Sequence, residues 1–172
     1  MKRTKNILLL SFLICLTSCK KDSNDIKLDK EKSFYVNINF PDTVYRNSSY
    51  NGKINYRNAL DTITVSLNDP KKYRFIDFAF LRTDNISYNE DYLKKIVTDT
   101  FTSENNRIIP LYNIFFNKLG VNYIDGIITD QVSIEGGGTD KYGKPMTRII
   151  TNEFRVNHKV IVINRPEPKS NL

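Results

Sequence analysis

The sequence predicts an all-β domain, a two-sheet antiparallel sandwich of about seven strands with one short helix near residues 88–97. Three observations carry this. From Ser33 onward, apolar residues recur at every second position in short runs, the period of a half-buried strand. Turn signals such as Pro41-Asp42 and Asn68-Asp69-Pro70 punctuate those runs. Helical stretches do not alternate with strands, so a parallel α/β architecture is excluded and packed antiparallel sheets are the default.

The elements follow in order. Phe34, Val36, Ile38 and Phe40 alternate with Tyr35, Asn37 and Asn39 in a first strand closed by Pro41. Tyr50, Gly52, Ile54 and Tyr56 share one face of a second, and Ile63, Val65 and Leu67 that of a third. In Tyr73–Thr83, Ile76, Phe78 and Phe80 lie on one face and Phe75, Ala79 and Leu81 on the other. Apolar residues on both faces predict a central strand. Ser87–Val97 reads as the helix: Ser87 and Glu90 form a capping box, and Lys94 and Lys95 suit the negative C-terminal end. A strand through KIVTDTFT competes with it. Ile108–Phe116 is apolar, with Pro110 marking an edge or bulge. Tyr123–Ile134 puts Ile124, Ile128, Val132 and Ile134 on one face, Glu135–Met146 reads as a glycine-rich loop, and Thr147–Phe154 with Val156–Ile163 completes the sheet as a hairpin or one long bulged strand. Arg165-Pro166-Glu167-Pro168 begins an extended tail over residues 165–172, which leaves 33–164 as the domain.

Ahead of the domain stands a leader. Lys2, Arg3 and Lys5 precede an apolar run over Ile7–Leu16, and Lys20-Lys21-Asp22 ends it. A basic start, a short apolar stretch and small residues before a processing point describe a secretory signal peptide over residues 1–18. A membrane span needs about 20 apolar residues, roughly twice the run present. Leu16-Thr17-Ser18-Cys19 resembles the lipobox of bacterial lipoproteins. The resemblance implies cleavage between Ser18 and Cys19, a diacylglyceryl group on the Cys19 sulfur and acylation of the new N-terminus. Cys15 then leaves with the leader and no disulfide pair remains. Residues 19–32 become the acylated cysteine and a charged tether with a reach of ~20 Å. Two or more acyl chains anchor stably where one is marginal. SCKKDS resembles the start of many Bacteroidota lipoproteins, which implies the cell outer membrane, its leaflet left open.

Of the 26 basic residues three lie in the leader, so the net charge of +7 falls to +4 in the mature chain. That small excess, spread along the sequence, excludes a nucleic-acid-binding stripe. Gly120-Val121-Asn122-Tyr123 resembles the tyrosine corner of Greek-key immunoglobulin-like and fibronectin-type domains. It implies an immunoglobulin-like β-sandwich in which the Tyr123 hydroxyl bonds backbone across the corner.

The sequence holds no catalytic set. His158, the one histidine, sits in a strand pattern without G-x-S-x-G or a free cysteine, and reads as an edge or surface residue. One histidine gives no zinc site, and neither metal nor cofactor is expected. Asp125 and Asp130 lie an odd number of positions apart and fall on opposite sheet faces, unlike a hydrolytic carboxylate pair. Asp77 is an outward strand residue or an inward acid partnered by Arg74 or Arg148. The glycine run lacks the spacing of a phosphate or calcium loop. Loops at one end of a sandwich carry binding, which makes Asp140, Lys141 and Tyr142 a candidate contact patch. Asp42-Thr43-Val44 and Asp61-Thr62-Ile63 resemble Bacteroidota O-glycosylation sites, which implies glycans on Thr43 and Thr62; Asp99-Thr100-Phe101 is a looser match.

The expectation is therefore a lipid-anchored, non-enzymatic binding or assembly module whose partner is an envelope protein or glycan. The absence of Trp lowers a carbohydrate-stacking role, although Tyr35, Tyr50, Tyr73 and Tyr142 remain. The alternatives are an envelope glycan hydrolase working through acids such as Asp77, and a structural subunit of an outer-membrane complex. A cleft with two carboxylates favours the enzyme; a long exposed edge strand favours binding or assembly.

Overall fold

The computed structural model describes residues 34–64 and 66–167. The leader, Ser18, Cys19, the tether and the last residues of the tail lie outside them. The described chain is all-β apart from two short helices. Its strands are β1 (Tyr35–Asn39), β2 (Thr43–Tyr45), β3 (Tyr50–Arg57), β4 (Lys72–Thr83), β5 (Asp99–Thr102), β6 (Ile108–Ile114), β7 (Gly120–Thr139) and β8 (Pro145–Ile163). A 3-10 helix (Ala59–Thr62) precedes β4 and an α-helix, α1 (Glu90–Ile96), precedes β5.

The strands form two sheets, ordered β1-β3-β6 and β2-β8-β7-β4-β5. Both sheets contribute to one core: Ile54, Tyr56, Ile109 and Leu111 from the smaller, Ile76, Phe78, Phe80, Ile124, Ile128, Val160 and Val162 from the larger. The alternation read from the sequence sets these faces. β4 is central, flanked by β5 and β7. Its inner residues Phe78 and Phe80 stack at 5.1 Å, and Gly126 of β7 lies opposite Phe80. A Cβ on Gly126 would come within 2.4 Å of the Ala79 carbonyl oxygen and 2.5 Å of the Phe80 Cβ. Only glycine permits that approach.

Several elements differ from the sequence reading, each for a local reason. No strand forms among the described residues of Ile63–Leu67. Asn58 instead caps the 3-10 helix by accepting from the Leu60 N–H, and Asn-Ala-Leu-Asp is a helix-start sequence that outcompetes the alternation. α1 and a strand both form where one was expected. Asn89, not Ser87, caps α1 by accepting from the Tyr92 N–H at 2.8 Å, and Leu93 docks it fully buried. The glycine-rich segment is part strand: β7 runs to Thr139 and β8 begins at Pro145, paired at Gly138↔Met146 and Thr139↔Pro145 after an irregularity between Ile134 and Gly138, and only 140–144 turn the chain. β8 is one strand. Not every pairing is antiparallel, since β2 joins β8 in parallel, Thr43↔Ile161 to Tyr45↔Ile163. Pro110 does mark an edge: β6 ends its sheet, with a register shift opposite Tyr50 and Gly52. Among the described residues the Tyr123 hydroxyl makes no corner bond. Asn122, one residue earlier and facing inward, donates instead to the Lys118 and Gly120 carbonyls at 2.9 and 3.1 Å.

Candidate functional site

The carboxylates decide what chemistry the domain offers. Asp125 and Asp130 are both fully buried on β7, on opposite faces as their spacing requires. Each is matched to an arginine. Asp130 faces the core, where Arg74 of β4 holds it bidentately, Nε to Oδ1 at 2.8 Å and Nη2 to Oδ2 at 2.6 Å. The Tyr56 hydroxyl and the Asn58 amide also donate to Asp130, at 2.9 and 3.2 Å. Arg74 donates from Nη1 to Asp61 and to the Thr64 carbonyl, both at 2.8 Å, and so pins the β3–β4 connection over the core. Burial works against the Arg74 charge, but hydrogen bonds to Asp130 and Asp61 outweigh it and raise the guanidinium pKa. Burial, then the adjacent Asp130 charge, pushes the Tyr56 phenol well above its ordinary value.

Asp125 faces outward under a second clamp. Arg155 of β8 grips it at 3.1 and 2.8 Å and reaches the Tyr88 and Ile86 carbonyls at 2.5 and 2.9 Å. The hydrogen bond to Asp125 raises the Arg155 pKa against the opposing effect of burial. This clamp fastens the lead-in to α1 across the outer face. The inward parity of Arg74 with Ile76 and Phe78, and of Asp130 with Ile128 and Val132, was the signal for the core pair; no pattern tied Arg155 to Asp125.

The remaining sequence candidates are dispersed. Asp77 is half-buried on the outer face opposite Thr129 and Thr102, and Arg74 pairs with Asp130 rather than with it. His158 lies on the stretch of β8 that β2 leaves uncovered, but its side chain is not at the surface. It points inward from β8, its ring 6.1 Å from Phe40 and its Nε2 3.3 Å from an Asp42 carboxylate oxygen. Asp140 is occupied in turn-making, accepting from the Tyr142 and Lys144 N–H groups at 2.8 and 2.9 Å. Lys141 lies 4.9 Å over the Tyr142 ring, which is 81% exposed at the hairpin tip. Thr43, Thr62 and Thr100 are exposed, the last opposite Ala79, and the Thr62 hydroxyl donates to the Ala59 carbonyl at 2.7 Å. No cluster of three metal-ligating side chains occurs among the described residues, and no helix there is long and apolar enough to cross a membrane. A cavity of about 380 Å³ opens beside Leu81, Phe115 and Asn122. Its cation, Arg82, is already paired with Asp99 at 3.0 Å and stacked on Phe115.

The feature with unmet bonding capacity is the outer edge of β8. β7 pairs with one side of β8 along its length, whereas β2 covers the other side only at Ile161–Ile163. The Ile161 N–H donates to the Asp42 carbonyl and the Ile163 carbonyl accepts from the Arg46 N–H, so odd-numbered residues of β8 turn their backbone away from β7. From Thr147 to Lys159 those outward groups have no backbone partner among the described residues. An edge this long is a template for another strand. Beneath it Phe154 and Val156 are only half-buried, as are Val36 and Ile38 of β1 across the opening between the sheets. The other edge of this sheet is the short β5.

No protein-family model, curated protein or solved structure matches this chain.

Proposed function

We propose that the protein is a lipid-anchored lipoprotein of the cell outer membrane that binds or assembles through strand addition at β8, without catalysing a reaction. The free β8 edge carries this reading: it offers a periodic row of backbone donors and acceptors whose spacing matches an extended polypeptide. Attachment through Cys19 rests on Leu16-Thr17-Ser18-Cys19 and the basic, apolar leader before it. The occupied carboxylates support a non-enzymatic role, since Asp125 and Asp130 are neutralised by Arg155 and Arg74 and face away from each other. In fold we read the domain as immunoglobulin-like. The order β1-β3-β6 against β8-β7-β4-β5, with β2 crossing to pair beside β8, supports it; these correspond to A-B-E and G-F-C-C′.

The test is a proline at an outward position. Thr151→Pro removes an N–H that β7 does not use, and edge strands tolerate proline there. The wild-type chain, extracted from membranes in mild detergent, is expected to sediment as a complex; Thr151→Pro is expected to stay folded and membrane-bound but sediment alone. Identical sedimentation of the two would contradict the edge. For the anchor, Cys19→Ser is expected to leave the membrane fraction while Cys15→Ser remains; equal fractionation would contradict it.

A further inference from the structure

We infer that the strand added at β8 is β8 of a second copy of this chain, antiparallel about a two-fold axis at Asn152. The inference rests on the strand-addition reading and names the partner. The limits of the edge choose the register. β2 occupies β8 from Ile161 onward and the strand begins at Pro145, so axes at residue 152 or 153 use the free stretch most fully. Axes further along drive the Pro145 end of each copy into the β2 of the other. An axis at Glu153 sets Glu153 against Glu153, and like charges directly opposed are destabilising. At Asn152 no like charges are opposed. Thr151 meets Glu153, Ile149 meets Arg155 and Thr147 meets Asn157 on the outer face.

On the inner face Ile150 meets Phe154 twice, once on each side of the axis. Both side chains are half-buried in the single chain, so the pairing covers apolar surface that the open side of the two sheets leaves partly in water. Ile149, 60% exposed, is shielded by the aliphatic stem of Arg155. The symmetry also suits a shared membrane. An axis normal to the sheet keeps the inner faces of both copies on one side. Phe34, where the described chain begins, stacks on Phe154 at 4.1 Å beside that axis. Phe34 of both copies therefore lies on the same face.

Cysteine cross-linking in the full chain tests the register. Even-numbered residues of β8 bond to β7, so Asn152 meets its symmetry mate as a non-hydrogen-bonded pair with Cα atoms about 4.5 Å apart, within disulfide range. Asn152→Cys is expected to form a covalent dimer under mild oxidation, and Thr151→Pro in the same chain to abolish it. Asn157→Cys, whose mate lies about 30 Å away at ~3.3 Å per residue, is expected to stay monomeric. The unmodified chain should sediment at twice its own mass, which guards against a folding defect at position 152. A monomeric mass, or equal cross-linking at 152 and 157, overturns the inference. If the chain is not a dimer but Thr151→Pro still shrinks the extracted complex, the second copy is wrong and strand addition stands. If Thr151→Pro changes nothing, both are wrong.

Discussion

Arg74→Met probes the core pair most sharply. The guanidinium is wholly buried and bonds both oxygens of Asp130, so its removal leaves a fully buried carboxylate with only the neutral Tyr56 and Asn58 donors. Losing one member of a buried pair costs about 3–5 kcal/mol, against about 1 kcal/mol for an ordinary hydrogen bond. Asp61, the other carboxylate on Arg74, is 18% exposed and also contacts Arg107, so its loss adds little. A loss of about 3–4 kcal/mol is expected, a large share of the ~5–15 kcal/mol that stabilises a domain. Urea denaturation followed by circular dichroism measures it. Arg74→Met with Asp130→Asn removes both charges and keeps an acceptor for Tyr56, so more than half of the loss should return. A single-variant loss below about 1 kcal/mol, or a double variant as unstable as the sum of the singles, would refute a paired buried charge.

Three further outcomes follow. Gly126→Ala should destabilise by about 1–3 kcal/mol in the same assay, because the new methyl meets the Ala79 carbonyl and Phe80; an unchanged midpoint would deny the close β4–β7 approach. Leu93→Ala should cost about 2–5 kcal/mol or release α1 from the sheet, visible as rapid amide exchange confined to residues 90–96. Tyr56 should remain protonated in the folded chain beyond the ordinary tyrosine value of 10.0, since burial and Asp130 raise its pKa. The raised folded value means its contribution to stability is whole below pH 10.0 and declines as pH rises above that. Ultraviolet titration should therefore show one phenol ionising only with alkaline unfolding, a step that Tyr56→Phe removes.

Period-two alternation made the strands of the core legible, because one buried face writes itself into every second residue. It grouped Ile76, Phe78 and Phe80 on one face, which the structure turns inward, and put Asp125 and Asp130 on opposite faces correctly. It failed at Ile63–Leu67, where a capping asparagine and the pull of Arg74 on Asp61 and Thr64 favour a compact turn. It also failed at the glycines after Ile134. Their lack of side chains suggested a loop, whereas pairing with β8 carries the ladder past them. The β8 edge was illegible in principle: a strand's sequence records which face is buried, not which flank has a neighbour. That flank depends on where β2 stops, three residues into its pairing with β8.

Backbone amide exchange along β8, compared between the chain in its membrane and the purified chain at high dilution, tests strand addition most directly. The amides of Thr151, Glu153 and Asn157 are expected to exchange slowly in the membrane and fast on dilution, while their even-numbered neighbours, bonded to β7, stay protected in both. Fast exchange at those three positions in both settings would contradict strand addition.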